Sequence, residues 1–415
     1  MTATADGATR GTGAEAPDLD AVQRRVLRIL VASQVLGGAG LGAGLTVGAL
    51  LAEDVLDSTS LSGLPVALFT LGSAGAAMFV GSLSERRGRR AGLTAGYAAG
   101  AVGSAGVVLA AVLANPILLF ASMLVYGSGT STNLQARYAG GDLAAEERRG
   151  SAVSTVLVAT TFGAVAGPNL VAPMGGLATG WGIPALAGPF LLAAAAYAAA
   201  ALFLTFFLHP DPLLTARSVA IDRAKQASTS SPAGSVDAAA VRLGALAMVV
   251  TQLAMVAVMT GTPIHMRDHG HGLGVTGLVI GLHVAAMFLP SPLTGRLVDR
   301  CGSRAVIAAG GVVLLAAGVL GAAAPGHSAP ALTVALVLLG FGWNLGLLGG
   351  TTLLTGAVPL QGRARLQGRV DVAVAFAGAA GGLSSGMVVA SADYATLSLG
   401  SGLLALITLA AALRR

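Results

Sequence analysis

The chain has 415 residues, of which 54% are hydrophobic and only 10% are charged, and its mean hydropathy is +0.79. Soluble domains carry about 25% charged residues, so this composition excludes a soluble protein of this size. The net charge of +6 does not indicate a nucleic-acid partner, because the basic residues lie in short separate clusters. A single cysteine, Cys301, excludes an internal disulfide and any cysteine-based zinc or iron–sulfur site.

Twelve apolar stretches are long enough to cross a lipid bilayer, which takes about 20 mostly apolar residues in a helix. The sequence therefore predicts an all-α integral membrane protein with twelve transmembrane helices. The predicted spans are 26–52, 61–83, 91–113, 116–137, 151–173 and 184–208 in the first half of the chain, and 241–264, 273–298, 304–323, 329–357, 367–391 and 394–413 in the second.

Polar segments divide these spans into two sets of six. Residues 1–24 are predicted to form a disordered cytoplasmic tail, because they lack the apolar run of a signal peptide. Residues 25–208 form the first six-helix half, and residues 241–415 form the second. Between them, residues 209–240 contain "HPDP" and "STSSPAG", which indicate a polar cytoplasmic linker.

The distribution of basic residues predicts the orientation of the chain in the membrane. On this topology, 23 of the 24 lysines and arginines lie on the side of both termini, and only Arg267 lies on the other. The opposite side carries acidic residues instead, namely Glu53, Asp54, Asp57, Asp268 and Asp393. Because cytoplasmic loops are enriched in lysine and arginine, we expect both termini in the cytoplasm and the protein in the cytoplasmic membrane.

A ten-residue pattern occurs twice in the chain. "GSLSERRGRR" at 81–90 aligns with "GRLVDRCGSR" at 295–304. Six of the ten positions are identical or similar, and two unrelated basic loops would rarely agree so well at one offset. Parallel repeats of six helices are one way in which transporters build two halves around a central site. The pattern therefore predicts two pseudo-symmetric halves.

The repeated motif resembles that of the major facilitator superfamily, whose loop between helices two and three has the pattern G-x-L-x-D-R-x-G-R-R/K. This resemblance implies a secondary transporter in which the motif latches the halves during alternating access. A glycine lets two helices approach closely, and the carboxylate can pair with an arginine or a helix N-terminus. The gating candidates are Gly81, Glu85 (in place of the aspartate), Arg86, Gly88, Arg89 and Arg90, with Gly295, Asp299 and Arg300 in the second copy.

Polar residues inside the predicted spans are candidates for lining a central cavity, because such residues are costly in lipid. Asp371, near the start of the eleventh span, is the acidic residue that we suspect of proton coupling. A partnership with Arg365 or Arg369 is an equally good interpretation of Asp371. The candidates for the cavity are Gln34, Asn133, Gln135, Arg137, Gln252, Asn344 and Asp371.

Two pairs of residues in consecutive spans form a possible metal site. Met255 and Met259 lie four residues apart in the seventh span, as do His283 and Met287 in the eighth. Residues at this spacing share one helix face. Thioether sulfur and imidazole nitrogen suit copper, above all Cu(I), whereas hard cations prefer oxygen ligands. Methionines at helical spacing also serve as packing residues, so the pattern leaves that interpretation open.

The same two pairs resemble the CcoA-type copper importers of this superfamily, which carry MxxxM in the seventh helix and HxxxM in the eighth. The resemblance implies inward movement of copper, often to supply a haem–copper oxidase. Copper would then be the cargo and not a cofactor, and we expect no cofactor, a monomer, and only the ion and the lipid bilayer as partners. Relatives without the methionines resemble riboflavin carriers, so a riboflavin-like solute remains an alternative.

The predicted outer loop between these two spans contains further metal-capable residues. Its sequence "PIHMRDHGHG" includes His265, Met266, His269 and His271. The four residues lie where copper would arrive from outside, and a capture site is one interpretation. A polar turn with incidental histidines is another, because exposed loops tolerate such residues.

Other classes of function remain to be weighed. "GAVAGP" at 163–168 resembles the G-x-x-x-G-P motif of proton-driven antiporters and would favour an exporter of drug-like solutes. However, "NLVA" follows where antiporters have a glycine pair, and Gly163 and Gly167 also form a small-residue packing face. The sequence contains neither GxxxxGK[ST] nor HExxH, so we expect no enzyme activity and no ATP hydrolysis.

Overall fold

A computed structural model describes residues 18–56, 64–226 and 236–414. The described chain is helical throughout its regular structure, which confirms the predicted all-α class. The helices are α1 (Leu19–Leu56), α2 (Leu64–Arg87), α3 (Arg89–Val112), α4 (Pro116–Gly141), α5 (Arg149–Asn169), α6 (Val171–Gly180), α7 (Gly188–Phe207), α8 (Pro212–Gln226), α9 (Ala238–Asp268), α10 (Leu273–Phe288), α11 (Ser291–Cys301), α12 (Ser303–Ala323), α13 (Ala329–Ala357), α14 (Arg363–Ser391) and α15 (Tyr394–Leu413).

Every predicted span overlaps one helix or two consecutive helices. The fifth span is divided into α5 and α6, and the eighth is divided into α10 and α11 next to Pro290. A proline lacks the N–H that continues the helical hydrogen-bond ladder, which explains the second break. Within the described residues, nine helical segments are long and apolar enough to cross a membrane.

The three largest differences from the predicted boundaries are the following. Helix α1 begins at Leu19, inside the predicted tail, because the Asp18 carboxylate accepts hydrogen bonds from the N–H groups of residues 20 and 21. The fifth span was predicted to end at 173, but α6 continues it to Gly180. The predicted linker contains helix α8. The remaining tail residues 1–17 and linker residues 227–235 lie outside the described residues.

Gly88 and Gly302 occupy equivalent places in the two copies of the repeated motif, and each separates two consecutive helices. Their φ angles are 89° and 83°, a region that side chains other than glycine rarely adopt. Each glycine precedes the first residue of the next helix, α3 or α12. The same positive φ angle at both helix breaks explains why both copies carry glycine at this position.

The helices form two halves, α1–α7 and α9–α15. One buried apolar cluster lies within the first half. A second cluster lies mainly in the second half and also includes Tyr138, Val153 and Leu157 of the first. Glycines bring helices together within the halves; for example, a Cβ atom at Gly38 would lie 3.0 Å from the Cα atom of Gly163. Gly163 of "GAVAGP" is therefore a packing residue between α5 and α1. The halves meet mainly through α2 with α14 and through α5 with α11.

Candidate functional site

The repeated motif lies where the two halves touch. A Cβ atom at Gly81 would lie 2.8 Å from the carbonyl oxygen of Ala364 and 2.9 Å from the Cα atom of Gly368. Helices α2 and α14 are therefore in backbone contact here. In the second copy, a Cβ atom at Gly295 would lie 2.7 Å from the carbonyl oxygen of Gly150, which brings α11 against α5. The predicted close approach occurs in both copies, and in both it joins opposite halves.

The carboxylate of each copy lies at a helix N-terminus of the other half. Glu85 accepts hydrogen bonds from the N–H groups of Gly362 and Ala364 at 2.7 and 3.1 Å, at the start of α14. Asp299 accepts from the N–H groups of Gly150 and Ser151 at 2.7 and 2.9 Å, at the start of α5. The unsatisfied N–H groups and positive dipole of a helix N-terminus stabilise such a carboxylate. The two copies thus make equivalent contacts.

One contact has no counterpart in the second copy. Arg217 of α8 pairs with the Glu85 carboxylate and donates to the Glu85 carbonyl at 2.8 Å and to the Leu360 carbonyl at 2.8 Å. Both side chains are largely buried. The linker helix therefore ties the first copy to the loop before α14. Nothing in the sequence pattern indicates Arg217, because the linker reads as polar and irregular.

The arginines of the motif have different environments. Arg86 and Arg300 are exposed, whereas Arg89 is buried and its Nε lies 2.7 Å from the Asp142 carboxylate. Arg90 donates its backbone N–H to Asp211 at 2.8 Å, and its side chain contacts His209. We call this end of the bundle, which carries the loops 87–89, 142–149, 301–303 and 358–363, the arginine-rich end.

Another buried ion pair joins the two halves. Arg137 of α4 lies 2.8 Å from Oδ1 of Asp371 on α14, and the side chains are 1% and 9% exposed. Arg137 also donates to Thr351 of α13 at 3.1 Å. Arg365 and Arg369, the predicted partners of Asp371, are exposed instead. Their position on the same helix, where i and i+2 or i+6 point to different faces, explains the correction.

The polar candidates Gln34, Asn133 and Gln135 of the first half are buried and hydrogen-bonded. Gln34 accepts from the Tyr97 hydroxyl at 2.7 Å and donates to the Asn133 carbonyl at 2.9 Å and to the Thr160 hydroxyl at 3.1 Å. All of these side chains are buried. Gln135 is also buried and donates to the carbonyl of residue 77 on α2. Interhelical hydrogen bonds thus satisfy the three candidates inside the helix bundle, and their cavity-lining role stays a prediction.

The polar candidates of the second half differ from one another. Asn344 is buried and donates to the Met287 carbonyl at 2.7 Å and to the Ser291 hydroxyl at 2.8 Å. It therefore satisfies the backbone at the break between α10 and α11, and its cavity-lining role stays a prediction. Gln252 is half-buried and accepts from the Trp343 indole N–H at 2.8 Å.

His283 is fully buried, and its two ring nitrogens have different environments. Nδ1 lies 2.8 Å from the Leu336 carbonyl of α13, and because a carbonyl can only accept, this nitrogen carries the proton. Nε2 is buried and has no hydrogen-bond partner among the described residues. The lone pair of Nε2 is therefore available to a ligand.

The three methionines that accompany His283 belong to one apolar cluster or pack against it. Met255 and Met287 are buried in one apolar cluster, together with Phe288 and Trp343. Met259 is half-buried and packs against the same cluster. Met255 and Met259 on α9 and Met287 on α10 therefore contact the same extended apolar cluster.

The residues predicted for a capture loop are only partly accessible. Helix α9 continues to Asp268, so His265 and Met266 are helical, and Met266 is fully buried. Burial of its thioether contradicts a capture role for Met266. The rings of His265 and His269 are 4.3 Å apart, while Nε2 of His271 lies 2.9 Å from the carbonyl of residue 326. Within the described residues, no group of three or more His, Cys, Asp or Glu side chains could hold a metal ion.

Known proteins are similar to this chain in sequence and in fold. The uncharacterized MFS-type transporter YdeG of Bacillus subtilis is 52% identical over 393 residues, which cover 92% of this chain and 90% of that protein. The riboflavin transporter RfnT of Brucella anthropi is 32% identical over 80% of this chain and 81% of its own length. The crystal structure of the human organic anion transporter MFSD10 aligns with a TM-score of 0.76 at 18% identity, covering 96% of this chain and all of that chain.

The family model described as Major Facilitator Superfamily matches the chain twice, at residues 30–245 and 244–415. The two matches begin at the same offset that separates the two copies of the motif, which confirms the internal repeat. The multiple apolar helices are those of a multi-pass membrane protein, as expected for a family of gradient-driven carriers. This chain therefore belongs to the Major Facilitator Superfamily and is a secondary transporter, not an enzyme.

Proposed function

We propose that the protein imports copper by alternating access, with Met255, Met259, His283 and Met287 as its ligands. The observation that carries this proposal is the buried, unpartnered Nε2 of His283. A buried polar atom without a partner costs about 1–3 kcal/mol, and a bound soft metal ion would remove that cost.

The Nδ1 contact of His283 supports a ligand role for the ring. Histidines that bind metals commonly donate the N–H of the other nitrogen to a carbonyl or carboxylate, which sets the tautomer and orients the ring. The Leu336 carbonyl is such an acceptor at 2.8 Å. Met287 follows His283 by four residues on α10, and neutral thioethers would hold Cu(I) without a strong charge trap, which suits a site that must also release its ion.

The residue pattern adds a second line of support. The pairs Met255–Met259 and His283–Met287 occur in the seventh and eighth spans, as in the CcoA-type copper importers that the sequence resembles. All four side chains are buried or half-buried. A site whose members faced lipid would be inconsistent with this function.

Copper uptake by cells that express the protein tests the proposal directly. We expect the His283→Ala/Met259→Ala double variant to lose protein-dependent uptake of radioactive copper, with the same amount of protein in the membrane. Met78→Ala is the matched control, because Met78 lies on α2 and is 52% exposed, and uptake should be unchanged. Full uptake by the double variant would contradict the copper proposal.

A riboflavin-like organic solute is the second candidate, favoured by the 32% identity to the riboflavin transporter RfnT. Riboflavin uptake measured in the same cells distinguishes the two candidates. Protein-dependent riboflavin uptake that survives in the double variant, without copper uptake in the parent protein, would establish the organic-solute function. Efflux of either compound on expression would instead indicate the exporter alternative.

We propose that the arginine-rich end faces the cytoplasm and that the protein lies in the cytoplasmic membrane, as the basic asymmetry predicts. The test uses a Cys301→Ser background, because Cys301 is exposed. A cysteine introduced at His327 should react with an impermeant thiol reagent in intact cells, whereas one at Ser218 on α8 should react only after lysis; both positions are exposed. The reverse pattern would overturn the orientation.

A further inference from the structure

Helix α13 contacts α10 at three positions that lie one helical turn apart. The Leu336 carbonyl accepts a hydrogen bond from Nδ1 of His283 at 2.8 Å. Gly340 packs against the backbone of His283 and Met287, and the Asn344 amide donates to the Met287 carbonyl at 2.7 Å. Residues four apart share one helix face, so one face of each helix carries the contact. The two residues of α10 that α13 holds are therefore the two proposed ligands of that helix.

Gly340 allows the backbones of α13 and α10 to come this close. A Cβ atom at Gly340 would lie 2.5 Å from the His283 carbonyl oxygen and 3.2 Å from both the Nδ1 atom of His283 and the backbone nitrogen of Met287. A larger residue would push α10 away from α13, as overpacking does in any closely packed interior. The contact between Nδ1 and the Leu336 carbonyl would then lengthen beyond the hydrogen-bond range.

Asn344 fixes the other end of the pair, next to the helix break at Pro290. Its amide nitrogen donates to the Met287 carbonyl at 2.7 Å and to the Ser291 hydroxyl at 2.8 Å. Its Oδ1 accepts from the Thr294 hydroxyl at 2.6 Å. The side chains of Asn344, Ser291 and Thr294 are all fully buried. Because both amide hydrogens and the amide oxygen are engaged, the amide has one orientation and anchors the Met287 backbone.

The first half repeats the close approach without metal-capable side chains. A Cβ atom at Gly127 of α4 would lie 2.2 Å from the Phe69 carbonyl oxygen and 2.7 Å from the backbone nitrogen of Ser73 on α2. Phe69 and Ser73 precede His283 and Met287 by the same offset that separates the two copies of the motif. The repeat thus provides the approach of the helices in both halves, and the second half places a histidine and a methionine at it.

We infer that Gly340 and Asn344 are positioning residues for the His283–Met287 pair. Gly340 sets the distance at which the His283 ring meets the Leu336 carbonyl. Asn344 sets the place of the backbone from which the Met287 thioether extends. The inference rests on the proposed function, because it concerns the same two ligands. Groups that orient a metal ligand without contacting the ion typically change metal affinity by about 10- to 100-fold when they are substituted.

The first experiment follows the two side chains in the metal-free protein. Full-length protein with isotope-labelled histidine and methyl-labelled methionine is studied by NMR in lipid nanodiscs, and His283→Ala and Met287→Leu assign the signals. In the parent protein, we expect the His283 ring to carry its proton on Nδ1 alone. Gly340→Ala should give a mixture of the two tautomers, because Nδ1 loses its acceptor. Asn344→Leu should shift the Met287 methyl signal, because the Met287 backbone loses its anchor.

Two controls disturb packing to a similar degree away from the pair. Gly127→Ala introduces the corresponding clash between α4 and α2. Thr262→Val removes a fully buried hydroxyl of α9 that lies 2.9 Å from the Tyr394 hydroxyl. Both variants should leave the His283 and Met287 signals unchanged, which distinguishes a loss of positioning from a general loosening of the fold.

The second experiment measures the binding of Cu(I) alone to the same purified proteins. The proteins compete with a chromophoric Cu(I) chelator under reducing conditions. We expect Gly340→Ala and Asn344→Leu to bind Cu(I) about 10- to 100-fold more weakly than the parent protein. Gly127→Ala and Thr262→Val should bind Cu(I) as the parent protein does.

The two experiments separate a failure of this inference from a failure of the copper proposal. Parent affinity for Cu(I) in both α13 variants, or unchanged His283 and Met287 signals in them, would overturn the positioning role and leave the copper proposal intact. An equal loss of affinity in Gly127→Ala would also overturn it, because packing alone would then explain the effect. If the parent protein binds no Cu(I) while the signals respond as expected, the copper proposal fails and α13 still positions the pair.

Discussion

The two halves share a helix plan but bury different chemistry. In the first half, Gln34 is joined to Tyr97 and Asn133 by hydrogen bonds of 2.7 and 2.9 Å, and Asn133 lies 3.5 Å from the Tyr97 hydroxyl. In the second half, Nε2 of His283 has no hydrogen-bond partner among the described residues. The repeat therefore sets the path of the helices and not the chemistry between them. The Gln34 network is internally cross-linked, whereas the His283 ring retains a nitrogen that no described residue uses.

The interiors of the halves differ, but at the contacts between the halves the two copies of the motif are nearly equivalent. Glu85 and Asp299 each accept two backbone N–H groups from a helix of the opposite half. One departure is Arg217, which joins the Glu85 copy. Substitutions at the shared contacts, inside each half and at Arg217 test this comparison.

The largest effect is expected from Gly81→Leu. Even the first atom of the new side chain would lie 2.8 Å from the Ala364 carbonyl, and overpacking of this kind costs about 1–3 kcal/mol. The halves could not close at the arginine-rich end, and uptake should fall by about tenfold or more. Gly75→Leu is the control, because nothing lies within 4 Å of a Cβ atom there on the same helix. Equal uptake by both variants would show that the close approach is not required.

An intermediate effect on stability should distinguish the interiors of the two halves. Gln34→Ala removes the acceptor of the Tyr97 hydroxyl proton, and a buried donor left unpaired costs about 1–3 kcal/mol, so the thermal unfolding temperature should fall clearly. His283→Ala removes a group with a single protein partner and should lower the unfolding temperature less while abolishing uptake. Thermal unfolding in detergent and uptake in cells are the two measurements. A larger loss of stability in His283→Ala would contradict the difference between the halves.

The smallest effect is expected from Arg217→Ala, which removes the linker contacts from Glu85 and Leu360. A hydrogen bond to a charged group contributes about 1.5–3 kcal/mol, but Glu85 keeps its two backbone donors, so we expect a decrease in uptake of only about two- to tenfold. Arg223→Ala on the same helix is the control, because Arg223 is exposed. If Arg217→Ala matches Gly81→Leu, the linker helix is as important to the latch as the backbone approach.

The sequence by itself determined the fold and the place of the latch. Apolar length predicted the spans, and the two closely matched spans 329–357 and 394–413 have the bounds of α13 and α15. The repeat predicted the symmetry, and the motif glycines and carboxylates predicted the close approach and the pairing with helix N-termini. These features are local: a glycine permits a backbone contact and a carboxylate suits a helix end wherever the partner comes from.

Only the tertiary structure decided which polar groups satisfy each other. Arg137 pairs with Asp371 across 234 residues of chain, Gln34 and Asn133 are used up by each other, and Met266 turns inward. In a soluble protein, the polar face of a helix indicates how the helix is rotated, but helices that are apolar on all sides give no such signal. The rotation of each helix is set by packing against its neighbours, and that rotation decides whether a buried polar side chain meets a partner or remains free for a ligand.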